Sequence, residues 1–298
     1  MLSNTLNNFI RKDDSPMKNF LKKYLLYFRI RDRFSPAVAI GQRKLYLYFR
    51  SEISQGRRFN LSETGFRVFS QFEEDGKLLY IFSVLGMDNK SFVEIGSDDG
   101  INSNCANLYF NFGWHGLFID GNKKSIERGT YFYSKYPHPW YYKPKFRHAI
   151  VTRENVNELV SEAGYSGEIG LLSIDIDGND YWIWDALEVT APQVVIIETH
   201  NEFGLRNIVV PYDKNYSYPG KHPVYHGASP VAMTNLARRK GYRLVGANEY
   251  ASNFIFVKNG LGEEFLPEVT VESVLTHPSV AEDYHRFEEI KDWEYLEG

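Results

Sequence analysis

The segment Ser91–Gly121, SFVEIGSDDGINSNCANLYFNFGWHGLFIDG, decides the fold. An apolar run, SFVEIG (91–96), meets a tight turn, SDDG (97–100). A helix is predicted from about Asn102 to Phe112, and a second apolar run, GLFIDG (116–121), follows. Short apolar runs bounded by glycine read as buried strands. Two of them joined through a helix make a parallel crossover, because parallel neighbours need a connection of this length.

Upstream, Ser70-Gln-Phe-Glu73 matches a capping box and predicts a helix through EEDGKLLYIFSVLG that ends at Gly86. Downstream come a helix, the aromatic loop HPWYYKP, a strand near His148–Thr152 and a helix over NVNELVSEAG. Strands near 170–177 and 193–199 are next, then a tyrosine-rich loop, PYDKNYSYPGKHPVYHG (211–227). A helix over SPVAMTNLARRKG and two strands, YRLVGA and NFIFVK, complete the pattern. Alternating strands and helices predict an α/β fold: a mostly parallel sheet, helices on both faces, and an antiparallel C-terminal hairpin.

The chain has 298 residues, 43% apolar and 24% charged, enough for a sizeable core. The lone Cys105 excludes an internal disulfide and a four-cysteine zinc site. The first residues lack the apolar core of a signal peptide, and no apolar run reaches a membrane span, so a cytoplasmic location is expected. Net charge is only −4, yet it is unevenly spread. Residues 1–60 carry 13 basic and 4 acidic side chains, and residues 261–298 carry 2 and 11. Three parts are therefore expected: a basic, aromatic N-terminal arm (1–60), the α/β domain (61–260) and an acidic helical extension (261–298). The stretch Lys18–Phe34 interleaves apolar and basic residues, as in a helix lying on a membrane face. Peripheral membrane contact through the arm competes with pairing between arm and acidic tail. No nucleic-acid partner is expected, because the middle of the chain is acidic.

Two groups of residues point to chemistry. The first is VEIGSDDG, beyond the first strand's carboxyl end, where open α/β sheets bind ligands. Gly96 and Gly100 allow a tight turn, and Asp120 ends the next strand where an acid can hold ribose hydroxyls. Asp98 and Asp99 would repel a pyrophosphate, whereas a sulfonium cation suits an acidic loop. The second is LLSIDIDGNDYWIW (171–184) together with VVIIETHN (194–201). If the two strands pair, strand alternation turns Asp175 and Asp177 one way and lets them meet Glu198 and His200. Carboxylates so gathered repel unless protonated or neutralised by a cation. An oxygen-rich set suits Mg²⁺, Mn²⁺ or Ca²⁺. Asp180 is read either as a catalytic base or as a cap for the following helix.

FVEIGSDDG followed by GLFIDGN resembles the first two motifs of class I S-adenosylmethionine-dependent methyltransferases. The run from SQFEEDG to KGYRLVGANEYASNFIFVK, residues 68–259, is similar to the FkbM-like branch. Asp177-Gly178 and Trp184-Asp185-Ala186-Leu187 resemble macrocin-type sugar O-methyltransferases, with Asp-Gly-Asn-Asp here in place of their Asp-Gly-Asp. The resemblance implies a Rossmann-like class I methyltransferase sheet and S-adenosyl-L-methionine as cofactor. It implies cofactor contacts at Gln71, Asp75, Glu94, Gly96, Ser97, Asp98, Gly100, Asp120 and Asp175. It further implies a divalent cation, Mg or Mn, on Asp175, Asp177 and Glu198, with Asp177, His200 and Asp180 in catalysis. The acceptor would be a hydroxyl of a sugar or glycan, selected by loop 211–227, with Trp140 and Tyr141 available for stacking. His222 and His226 are further candidates on that loop. Two other readings stay open: a glycosyltransferase holding a nucleotide sugar through Asp175-x-Asp177, and a non-catalytic membrane-associated scaffold.

Overall fold

The computed structural model describes residues 30–135 and 142–298. Trp140, Tyr141 and the stretch up to residue 29, which includes most of the amphipathic segment 18–34, lie outside the described residues. Two compact units divide the chain, residues up to Lys44 and Leu45–Gly298. A long helix, α1 (Pro36–Ser54), runs across that boundary. The second unit carries α2 (Glu74–Leu85), α3 (Ala106–Phe112), α4 (Lys123–Lys135), α5 (Val156–Glu162) and α6 (Asp180–Ala186). It continues with α7 (Pro230–Arg239), α8 (Val271–Val274) and α9 (Pro278–Phe287).

Seven strands form one sheet: β1 (Ser91–Ile95), β2 (His115–Asp120), β3 (Lys145–His148), β4 (Gly167–Ile174), β5 (Thr190–Glu198), β6 (Tyr242–Ala247) and β7 (Asn253–Lys258). Their order is β3-β2-β1-β4-β5-β7-β6. β7 runs antiparallel to both β5 and β6, and the other pairings are parallel. The expected α/β sheet with its antiparallel C-terminal hairpin is thus the fold. Chain order reverses between β1 and β4, so the crevice beyond their carboxyl ends is where such a sheet takes a ligand.

The strands are apolar on both sides because helices cover both faces. Val93, Ile95, Leu172, Val195, Ile197 and Phe256 are buried on one face, and the alternate positions Phe92, Leu171, Val194 and Ile196 are buried on the other. Local differences from the sequence reading have physical causes. α2 starts at Glu74, and Glu73 makes no capping bond. The reciprocal bonds belong instead to Asp75, whose carboxylate accepts from the amides of Val68, Phe69 and Ser70 while its own amide donates to Ser70 Oγ. Glu73 pairs with Lys77 at 2.6 Å. α3 begins four residues later than expected because Ser103 Oγ accepts from the amides of Cys105 and Ala106 and fixes the entry there. β3 lies three residues earlier than expected and pairs Asp120 with His148.

The acidic extension belongs to the same unit as the sheet. Leu296 forms a β-bridge with Val209, and Phe287 and Ile290 are buried with Phe203 and Val224. Arg58 meets Glu264 at 3.4 Å, but both are exposed, so the pair contributes under about 1 kcal/mol. No helix among the described residues is long and apolar enough to cross a membrane.

Trp184 on α6 is fully buried against Tyr242 and Phe256, with ring centroids 5.8 and 5.4 Å away. Trp184→Ala should cost about 3–5 kcal/mol. Urea denaturation should show a lower midpoint with an unchanged slope; a loss under about 1 kcal/mol would mean that this face repacks freely.

Candidate active site

Gly96 closes β1 in the left-handed region, at φ 84°. A Cβ there would lie 1.6 Å from the Asp175 carbonyl oxygen, so only glycine lets the ends of β1 and β4 come together. The next turn is held by paired acids. Asp98 and Asp99 both meet Arg128, at 3.1 and 2.5 Å. The Asp98 amide donates to Asp120, which also accepts from Asn122. One cation faces two carboxylates, so Arg128 offsets part of the turn's charge and leaves it net acidic. Nothing in the spacing of Arg128 signals that role.

Glu94 turns inward from β1. Ser103 Oγ and the Asn104 amide donate to it, and Asn104 also reaches Ser173 Oγ at 3.2 Å. Burial pushes the Glu94 carboxyl up to about 7, with those hydrogen bonds working the other way. Ser97 Oγ and Asp75 Oδ1 are buried without partners. Orphaned polar atoms of this kind ask for a ligand.

The main cleft, about 500 Å³, opens at the carboxyl ends of β4 and β5. β4 stops at Ile174, so strand alternation does not position Asp175 and Asp177 as the sequence reading supposed. A tight turn does, with Asp177 in the left-handed region at φ 55°. That turn is organised by Asp180, whose buried carboxylate accepts from the amides of Ile176 and Gly178 at 2.8 and 3.0 Å. Asp180 is neither the N-cap of α6, which is Asn179, nor a wall of the cleft.

Asp175, Asp177 and Glu198 each offer an oxygen within 4.8 Å of the others. Hard cations bind oxygens at about 2.1–2.5 Å, so one ion can touch all three. Burial first, then neighbouring carboxylates, push Asp175 up to about 8 and Glu198 well above its ordinary range. Glu198 Oε2 and His200 Nε2 are both buried and unpartnered. His200 stands between two acids, with Nε2 3.8 Å from Glu198 and Nδ1 3.8 Å from Glu202. Burial works against the Glu202 charge, but His200 and Arg286 outweigh it and hold the carboxyl at about 2. A Cβ on Gly227 would lie 2.1 Å from the His200 ring, so this glycine makes room for the histidine.

His226 packs on His200 with centroids 4.1 Å apart, and its Nε2 meets the Pro223 carbonyl. Burial, then His200, lower its pKa to about 3. His222 instead meets Glu289 at 3.0 Å and is not a cleft wall. Gln71 is a wall; Glu94, Gly96, Ser97, Asp98, Gly100 and Asp120 are not. Ser279, Asp283 and Arg286 of α9 complete the cleft, and no motif or spacing signals them. Arg286 reaches Glu202 at 3.1 Å.

No protein-family model and no curated protein matches this chain. Among solved structures, a putative caffeoyl-CoA O-methyltransferase from Staphylococcus aureus is 15% identical, over 80% of this chain and all of its own, at a TM-score of 0.41. Magnesium protoporphyrin IX methyltransferase from Synechocystis, with bound SAM, is 8% identical over 62% of this chain and 78% of its own, at 0.39. A glycopeptide N-methyltransferase complexed with sinefungin is 8% identical over 63% and 87%, at 0.38. At these scores the likenesses carry no argument about this chain's activity.

Two substitutions test the site's physics. The folded chain holds the Glu94 proton more tightly than the unfolded chain does. That contribution is complete below about pH 4.5 and is lost as pH rises through about 7, roughly 3 kcal/mol in all. Glu94→Gln cannot ionise, so its stability should fall less than wild type between pH 5 and 8; parallel profiles would refute a burden on Glu94. Gly227→Ala should expel the His200 ring from the cleft while leaving the fold's circular dichroism intact. An unmoved His200 in the variant's crystal structure would contradict the close-approach argument.

Proposed function

We propose that the chain is an S-adenosylmethionine-dependent O-methyltransferase acting on a hydroxyl of a glycan or glycosylated metabolite, assisted by a divalent cation. The observation that carries this reading is the cleft where Asp175, Asp177 and Glu198 converge beside unpartnered His200, next to the β1 turn. A sheet that reverses at β1 and β4 gives cofactor and acceptor adjoining places at one crevice. The motif resemblance supplies the cofactor and acceptor class, and that part rests on analogy.

The donors fit the groups invoked. Three carboxylate oxygens suit Mg²⁺ or Mn²⁺, and the buried, unpartnered Ser97 Oγ and Asp75 Oδ1 suit the polar end of an amino-acid cofactor. S-adenosylmethionine supplies an electrophilic methyl carbon, and a divalent cation makes a bound hydroxyl easier to deprotonate. In this reading Asp175, Asp177 and Glu198 orient the acceptor oxygen. Orientation supplies much of the barrier reduction. His200 Nε2 takes the hydroxyl proton, and the charged Glu202 on its other side favours the resulting imidazolium. Asp180 acts indirectly, by fixing the turn that carries Asp177.

Thermal melts test the reading. S-adenosylhomocysteine at about 100 times its Kd should contribute about 2.7 kcal/mol, or roughly 4–5 °C. Mn²⁺ should add a shift that EDTA reverses and Asp177→Ala removes, with the S-adenosylhomocysteine shift retained. A shift with UDP-glucose but none with S-adenosylhomocysteine would replace this reading with the glycosyltransferase. No shift with either would favour the scaffold.

A further inference from the structure

A second cavity, about 390 Å³, lies beneath loop 211–227 and borders His226, which also walls the main cleft. It falls within the ordinary size range of small-ligand pockets. We propose that it is a glycosyl subsite, so that the acceptor is an oligosaccharide or glycoside held by two of its units; this rests on the methyltransferase reading above.

The lining carries the argument. Tyr212, Tyr216 and Tyr225 supply aromatic surface, and Asn179, Asp213 and Lys221 supply polar groups. A pyranose presents a flat C–H face and a rim of hydroxyls that both donate and accept. Aromatic rings cover the first, and amide, carboxylate and ammonium groups meet the second. Asn179 spends its Nδ2 on the Asp213 carbonyl, which leaves its Oδ1 to accept. Lys221 is the single cation of the lining, opposed by Asp213 and Glu294, so a phosphate is disfavoured. Val210 and Pro211 are its only aliphatic walls, too little for a lipid chain.

Tyr216 lines the second cavity and packs against His226, which both spaces share. Its ring packs over Gly178 and Gly220 and stacks on His226 with centroids 5.9 Å apart. Its hydroxyl is buried without a partner. A ligand straddling the partition would keep one unit at Asp177 and Glu198 and the next unit against the tyrosines.

Ser217 is exposed, lines the second cavity and is not a wall of the cleft, so Ser217→Trp fills the subsite alone. The full chain, with Mn²⁺ and S-adenosylhomocysteine, would be screened on an array of immobilised mono- and oligosaccharides. The best oligosaccharide and its terminal monosaccharide would then be titrated by calorimetry. The oligosaccharide should bind at least about tenfold more tightly, and Ser217→Trp should erase that difference. Melting temperature and S-adenosylhomocysteine binding should not change in the variant. Equal binding of both sugars, an unaffected Ser217→Trp, or no retained glycan would overturn the subsite. S-adenosylhomocysteine binding in the same samples separates that failure from failure of the methyltransferase reading.

Discussion

Asp175, Asp177 and Glu198 hold like charges within reach of a single ion, at the place where the ladder between β4 and β5 ends. Taking carboxylates out of water is costly, and setting them side by side adds repulsion. The surrounding structure is arranged around that tension. Asp180 spends both oxygens on the turn amides and fixes where Asp177 stands. His200 inserts between Glu198 and Glu202, and Arg286 answers Glu202 from the far side. A cation between the three oxygens would complete the same neutralisation.

The β1 side of the crevice handles charge by internal pairing. Arg128 takes Asp98 and Asp99, and Glu94 is satisfied by Ser103 and Asn104. The β1 side is thus partly paired, whereas the β4–β5 side keeps three carboxylates together.

The acidic tail and the tyrosine loop share a task. α9 contributes Ser279, Asp283 and Arg286 to the cleft, and the tail's Phe287 and Ile290 pack with Phe203 and Val224 beneath it. Trp293 and Tyr295 then pack edge-on against Tyr225 of the loop. The tail is thus tied to loop 211–227 by aromatic contacts and by the Glu289–His222 pair.

The strand periods, the glycines at 96 and 100 and the acids at two strand ends were legible in the sequence, because each is a local signal. Apolar runs report burial, and glycine after a strand reports a tight turn. Boundaries shifted where a side chain competed for backbone amides, as Asp75 does before α2 and Ser103 does before α3. The partners of the charges were not legible. Arg128 and Arg286 are ordinary charged residues on helices, 29 or more positions in sequence from Asp98, Asp99 and Glu202, which they meet. The sequence alone determined a mostly parallel α/β sheet with acids at the ends of β4 and β5. Only the tertiary structure decided that Asp98 and Asp99 share Arg128, that Asp180 builds a turn, and that the C-terminal helix walls the cleft, because Coulombic partnership depends on distance in space and leaves no trace in spacing along the chain.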